Sequence, residues 1–224
     1  MKADRANHAR NRGAETRWAH GLPDEWLMPH IVLLGDSIFD NAAYVPGGPD
    51  VVSHLAAMLP KGWSATLCAV DGAVITGVQR QLACIPRDAT HLVLSVGGND
   101  ALGHADLLTR PARSSAEVLG WLADAASEFE SRYRAMLRAI LERDRPLTVC
   151  TIYNGNLGPP SHRPATAALA VFNDVILRLA MEHHLSVIEL RRVCTEPADY
   201  ANPIEPSVQG GGKIARAILE AVVH

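Results

Sequence analysis

One stretch, Ile31-Val-Leu-Leu-Gly-Asp-Ser-Ile-Phe-Asp-Asn41, constrains this chain more than any other. Apolar residues with β-branched members, broken abruptly by Gly-Asp-Ser, form the pattern of a buried parallel strand that ends in a tight turn presenting polar groups. The strand is predicted over 31–34. Ser37 then stands at its carboxyl end, the edge of an open α/β sheet where ligands usually bind. A serine hydroxyl is a poor nucleophile by itself and needs a base and oxyanion donors, which the rest of the chain must supply.

Beyond Met28 short β-rich runs alternate with helical segments. Strands are predicted at 65–70, 91–96, 147–153 and 185–190, and helices at 50–59, 77–85, 115–144, 166–183 and 211–222. Asp50 reads as an N-cap, with Val51, Leu55 and Met58 on one face of the helix that follows. Pro146 ends the longest helix signal. Five strands alternating with helices imply parallel strands joined by right-handed crossovers, in a three-layer α/β/α sandwich. A chain of 224 residues that is 48% hydrophobic suits a single such domain. Residues 1–27 are polar and without clear periodicity, and are expected to be a loose extension ahead of the domain at 28–224.

The formal charge of −3 leaves no electrostatic footprint for nucleic acid. No run of apolar residues reaches the length of a membrane span, and the first residues lack the apolar core of a secretory signal. Cys68, Cys84, Cys150 and Cys194 are far apart and form no Cys-x-x-Cys pair, so free thiols and a reducing cytoplasm are expected. His183-His184 has no spaced carboxylate or cysteine to complete a metal site, so no metal is expected. No Gly-x-Gly-x-x-Gly or P-loop follows a strand, so no cofactor is expected either. Nothing in the sequence fixes the oligomeric state.

Three blocks each follow a predicted strand: Gly35-Asp36-Ser37, Val70-Asp71-Gly72-Ala73 and Gly97-Gly98-Asn99-Asp100. All three can reach one rim of the sheet, where the Ser37 amide, the Gly72 amide and the Asn99 side chain can donate to one developing oxyanion. Glycine lets the backbone approach a ligand closely, and an Asn amide donates without adding charge. In this order the blocks resemble those of the SGNH (GDSL-type) hydrolase superfamily of esterases and lipases, from about residue 31 to the end. The resemblance implies a flavodoxin-like fold, Ser37 as nucleophile, an oxyanion hole built from Ser37, Gly72 and Asn99, and a small acyl or acetyl ester as substrate.

The last block departs from that pattern. The family usually carries Asp-x-x-His-Pro before its C-terminal helix, and this chain reads Asn202-Pro203-Ile204-Glu205-Pro206. Asn202 stands where the aspartate is expected and Glu205 where the histidine is expected. Three readings follow: Glu205 accepts the Ser37 proton itself, its pKa raised by burial; His104 or His162 reaches in as base; or the pocket survives as a ligand-binding or regulatory module without turnover. The first is preferred. Asp36 reads as a turn former that also faces substrate, and Asp40, Asn154 and Asn202 read as further substrate contacts or as plain turn residues. Asp100 reads as structural.

Overall fold

The computed structural model describes residues 28–223; the extension expected at 1–27 lies outside the described residues. Five strands form one sheet: β1 (His30–Gly35), β2 (Ser64–Leu67), β3 (His91–Ser95), β4 (Leu147–Cys150) and β5 (Ser186–Ile188), in the order β2-β1-β3-β4-β5. Every pairing is parallel, with Ile31 opposite both Ala65 and His91. The chain reverses its direction of winding between β1 and β3, and in such sheets the crevice at that switch point is where ligands bind.

The layers follow from alternation along the strands. Val32, Leu34, Leu92 and Leu94 point to one face and Ile31, Leu33 and Val93 to the other, all of them fully or almost fully buried. The first face is covered by α2 (Val78–Gln81), α4 (Ser115–Leu141) and α5 (His162–Glu182). The second is covered by α1 (Val51–Met58), α6 (Leu190–Val193) and α7 (Val208–Val223). The short α3 (Gly98–Leu102) sits directly after β3.

The helix starts have local causes. The Asp50 carboxylate accepts from the Ser53 amide at 2.9 Å, and Ser114 Oγ accepts from the Glu117 amide at 3.2 Å, so each caps an otherwise unpaired first turn. Helix α5 begins about a turn earlier than expected, at His162. Contrary to the expectation that no segment reaches the length of a span, α5 is long and apolar enough to cross a membrane by length and composition alone. Its Phe172, Val175, Ile176 and Leu179 are packed into the core against α4 and the sheet. Cys68, Cys150 and Cys194 are buried, Cys84 is exposed, and all four are free thiols.

Two buried amide side chains hold the strand ends in place. Gln81 receives the Gly35 N–H at 2.8 Å and donates to the Gly35 carbonyl at 2.7 Å. Asn173 does the same for Ile152, at 2.7 and 2.8 Å. Gly35 itself has φ +129°, and a Cβ there would lie 1.7 Å from the Ser95 carbonyl oxygen. Gly35→Ala should therefore lower folding stability by more than about 3 kcal/mol, from the combined clash and strain. Urea unfolding midpoints of the two proteins check this, and a loss below about 1 kcal/mol would contradict the geometry.

Candidate active site

The turn after β1 is built by Asp36. Its amide donates to the Ser95 carbonyl at 3.0 Å, its carbonyl accepts from the Phe39 and Asp40 amides, and its carboxylate accepts from the Ile38 amide at 3.2 Å. Phe39 is driven fully into the core, which leaves Ser37 at the crest of the turn beside the switch-point crevice. The Ser37 backbone N–H makes no hydrogen bond to another described residue.

The segment after β2 is brought to the same rim from two sides. Asp40 accepts from the Asp71 amide at 2.9 Å, and the Tyr44 hydroxyl donates to the Asp71 carboxylate. From the other side, Asn99 on α3 donates to the Ala73 carbonyl at 2.9 Å, and the Asp100 carboxylate accepts from the Ile75 amide at 2.9 Å. Gly72 lies between these anchors, exposed and with φ +73°; its conformation, not lack of space, is what calls for glycine. Asn99 uses one amide hydrogen on Ala73 and retains the other. Of the three expected oxyanion donors, Ser37 and Asn99 line the cleft; Gly72, in its exposed turn, does not.

Glu205 arrives from the loop before α7, and its Oε1 accepts the Ser37 hydroxyl at 3.0 Å. Both side chains are buried, and Glu205 Oε2 has no partner among the described residues. The loop around it is fixed from several elements. Asn202 Oδ1 accepts from the Ile204 and Glu205 amides, each at 2.9 Å; Tyr153 donates to the Ile204 carbonyl; Asn41 donates to the Pro206 carbonyl at 3.2 Å and accepts from Val51 at the start of α1. Fully buried Asp199, whose carbonyl accepts from the Ser207 amide at 2.9 Å, pairs with Lys213 of α7 at 2.8 Å and takes amide hydrogens from Thr195 and Glu196. Asn41, Tyr153, Asp199 and Lys213 carry no motif in the sequence; of the four, only Asn41 had a local signal, its place in the block that contains Ser37.

The other residues singled out in the sequence separate into two groups. Asp36 and Asn154 line the cleft together with Ser37, Asn99 and Glu205. Asp40 and Asn202, read from the sequence as substrate contacts, do not line it, because their side-chain oxygens are engaged by backbone amides. His104 lines the cleft, but its ring stacks on Phe172 with centroids 6.0 Å apart, and Ser37 Oγ bonds Glu205 instead. His162 opens α5 and does not line the cleft.

Burial sets the protonation of the two carboxyls. It pushes Asp36 up to about 8; the Ile38 amide opposes this, and the charges of Glu205 and Asp100 add to it. Burial also raises Glu205, against the lowering effect of the Ser37 hydroxyl bond, with Asp71 adding to the rise.

A family model for GDSL-like lipase/acylhydrolases matches residues 33–210, a span that contains Ser37, Gly72, Asn99 and Glu205. The chain belongs to this family. No curated protein matches it. Among solved structures it is similar to an extracellular lipase from Streptomyces rimosus, with 20% identity, TM-score 0.64, and coverage of 86% of this chain and 99% of the other. It is similar to phospholipase A1 from Streptomyces albidoflavus NA297, at 18% identity and TM-score 0.65 over 87% and 99%. An acetyl xylan esterase from Geobacillus stearothermophilus matches at 16% identity and TM-score 0.62 over 87% and 94%. These likenesses show that the five-stranded α/β/α sandwich is the fold of the SGNH hydrolases.

Asp36 gives a test of the site's electrostatics. Its folded pKa of about 8 lies above its unfolded value, so the folded state binds more protons between about pH 4 and pH 8. The stability this contributes is complete below the unfolded pKa and is lost as pH rises through 8. Wild-type stability should fall over that window by up to about 1.4 kcal/mol per pH unit, and Asp36→Asn should flatten the slope. Chemical denaturation at a series of pH values measures both curves; equal slopes would show that Asp36 is ionised in the folded protein.

Proposed function

We propose that this protein is a serine hydrolase that cleaves acyl esters through an acyl-enzyme at Ser37, with Glu205 as the general base. The observation that carries this reading is the buried hydrogen bond from Ser37 Oγ to Glu205 Oε1. This contact supports Glu205 as the proton acceptor for Ser37, in a chain that lacks the family's usual histidine.

In the first half-reaction ionised Glu205 takes the Ser37 proton as Oγ attacks the ester carbonyl carbon. The carbonyl π pair moves onto oxygen, among the donors of Ser37, Gly72 and Asn99. Collapse of this intermediate breaks the bond to the alcohol, which leaves with the proton from Glu205. Water then attacks the acyl-Ser37 ester, Glu205 takes its proton, and collapse releases the acid while Ser37 Oγ regains a hydrogen. An ordinary glutamate, with a pKa near about 4.3, is a feeble base for a hydroxyl, and burial strengthens it.

Hydrolysis of p-nitrophenyl esters by the full chain, with fluorophosphonate labelling alongside, tests the assignment. Ser37→Ala should remove the label and lower kcat by at least about a thousandfold, and Glu205→Gln should lower kcat by about a hundredfold or more while preserving the fold. Since Glu205 must be ionised to act, kcat should rise with pH along a limb whose midpoint lies above an ordinary glutamate's and disappears in Glu205→Gln. A folded wild type with neither activity nor label, in which Glu205→His creates activity, would replace this reading with a binding protein on a hydrolase fold.

A further inference from the structure

The lining of the cleft changes character away from Ser37. Near the hydroxyl it is polar, with Asp36, Ser95, Asn99, Tyr153, Asn154 and Glu205; the remaining walls are apolar apart from His104, which stacks on Phe172. One wall is the first half of α5, where Ala165, Ala168, Leu169 and Phe172 follow one another at three-, one- and three-residue steps along one helix face. From Ala165 to Phe172 that wall runs for about 10 Å along the helix axis. None of these positions offers a side-chain hydrogen-bond partner, and the two alanines leave the wall shallow. Facing it are the turn Ala105–Leu108 and Leu122 of α4. Leu102 and Leu108, at 46% and 40% exposure, stand in the cleft lining with apolar surface still open to water.

Such a channel favours a flexible hydrocarbon chain over a sugar, whose several hydroxyls would lose water and find His104 as the one polar side chain away from the Ser37 end. An acetyl group would leave most of it wet. The carbonyl oxygen belongs with the Ser37, Gly72 and Asn99 donors, and the leaving oxygen must meet Glu205, so the acyl chain is the substituent left to enter the channel. Resting on the ester-hydrolase reading above, we infer that the α5 wall is an acyl-chain channel that makes medium-chain esters, of octanoyl length, the preferred substrates over acetyl esters, with Ala168 and Leu169 setting the preference.

The experiment is a chain-length series of p-nitrophenyl esters from acetyl to decanoyl, with octyl acetate as a control that carries its chain on the alcohol. Each buried methylene is worth up to about fourfold in kcat/KM, so octanoyl should exceed acetyl by at least about a hundredfold. Ala168→Trp, or Leu169→Trp should the first not fold by denaturation assay, should cut the octanoyl-to-acetyl ratio by at least about tenfold. Independently of turnover, calorimetry on Ser37→Ala should show binding of octanamide, weakened by the added tryptophan, and no binding of acetamide. Ser37-dependent hydrolysis with a flat or acetyl-favouring profile, or a preference that follows the alcohol chain, overturns the channel while leaving the hydrolase reading intact. Octanamide binding in a protein that never turns over upholds the channel and removes the hydrolase reading. Absence of both turnover and octanamide binding overturns the two together.

Discussion

The backbone contact between the ends of β1 and β3 governs the site. Gly35 lies so close to Ser95 that no side chain fits between them, and the Asp36 amide bonds the Ser95 carbonyl. With that contact made and Gln81 gripping Gly35 from the other side, the chain leaves β1 in a single direction. Asp36 must turn inward, Phe39 must enter the core, and Ser37 is left facing the crevice. The same contact brings α3 beside the turn, so Asn99 reaches the segment after β2. Three parts of the chain distant in sequence are thus assembled by strand pairing and one glycine.

The cost of this arrangement is a group of carboxyls in a poorly solvated place. Asp36, Asp100 and Glu205 are all buried, and burial raises the pKa of each. In the proposed reaction this alters how charge develops. A histidine base begins neutral and ends as a cation beside the oxyanion. A glutamate base begins as an anion and ends neutral, so one negative charge moves from Glu205 to the oxyanion and no cation appears. An aspartate at 202, the family's partner for its histidine, would then place a second negative charge near the base and oppose the resting state. Asn202 is neutral and spends its oxygen on the Ile204 and Glu205 amides. The two departures from the family pattern are therefore compatible with each other on electrostatic grounds.

The sheet and its long helices were legible because their signals are local. Apolar runs marked the strands, and the spacing of Phe129, Tyr133, Met136, Leu137 and Ile140 marked α4, whose buried face they form. Helix α3 was hidden because five residues carry too little periodicity, and its Gly-Gly-Asn-Asp start reads as a turn. The meeting of Ser37 with Glu205 across the chain was legible through the order of the blocks, each placed after a strand. The side chains of Asp40 and Asn202 were not, because sequence marks a polar residue in a loop without saying whether its oxygen faces a ligand or a neighbouring amide. Gln81 and Asn173 left even less trace, since a buried amide clamp needs only one residue and a partner far along the chain.

In the proposed reaction the second carboxylate oxygen of Glu205 is the atom an orienting partner would hold, and it has none among the described residues, so the aim of the base rests on its backbone. The loop that carries Glu205 answers this requirement. Its carbonyls on either side are bound by Tyr153 from the end of β4 and Asn41 from the turn after β1, the Glu205 amide by Asn202 of the same loop, and the Ser207 amide by the Asp199 carbonyl. These contacts restrict the backbone that carries Glu205, and in the proposed reaction a base held so leaves little reorganisation to perform.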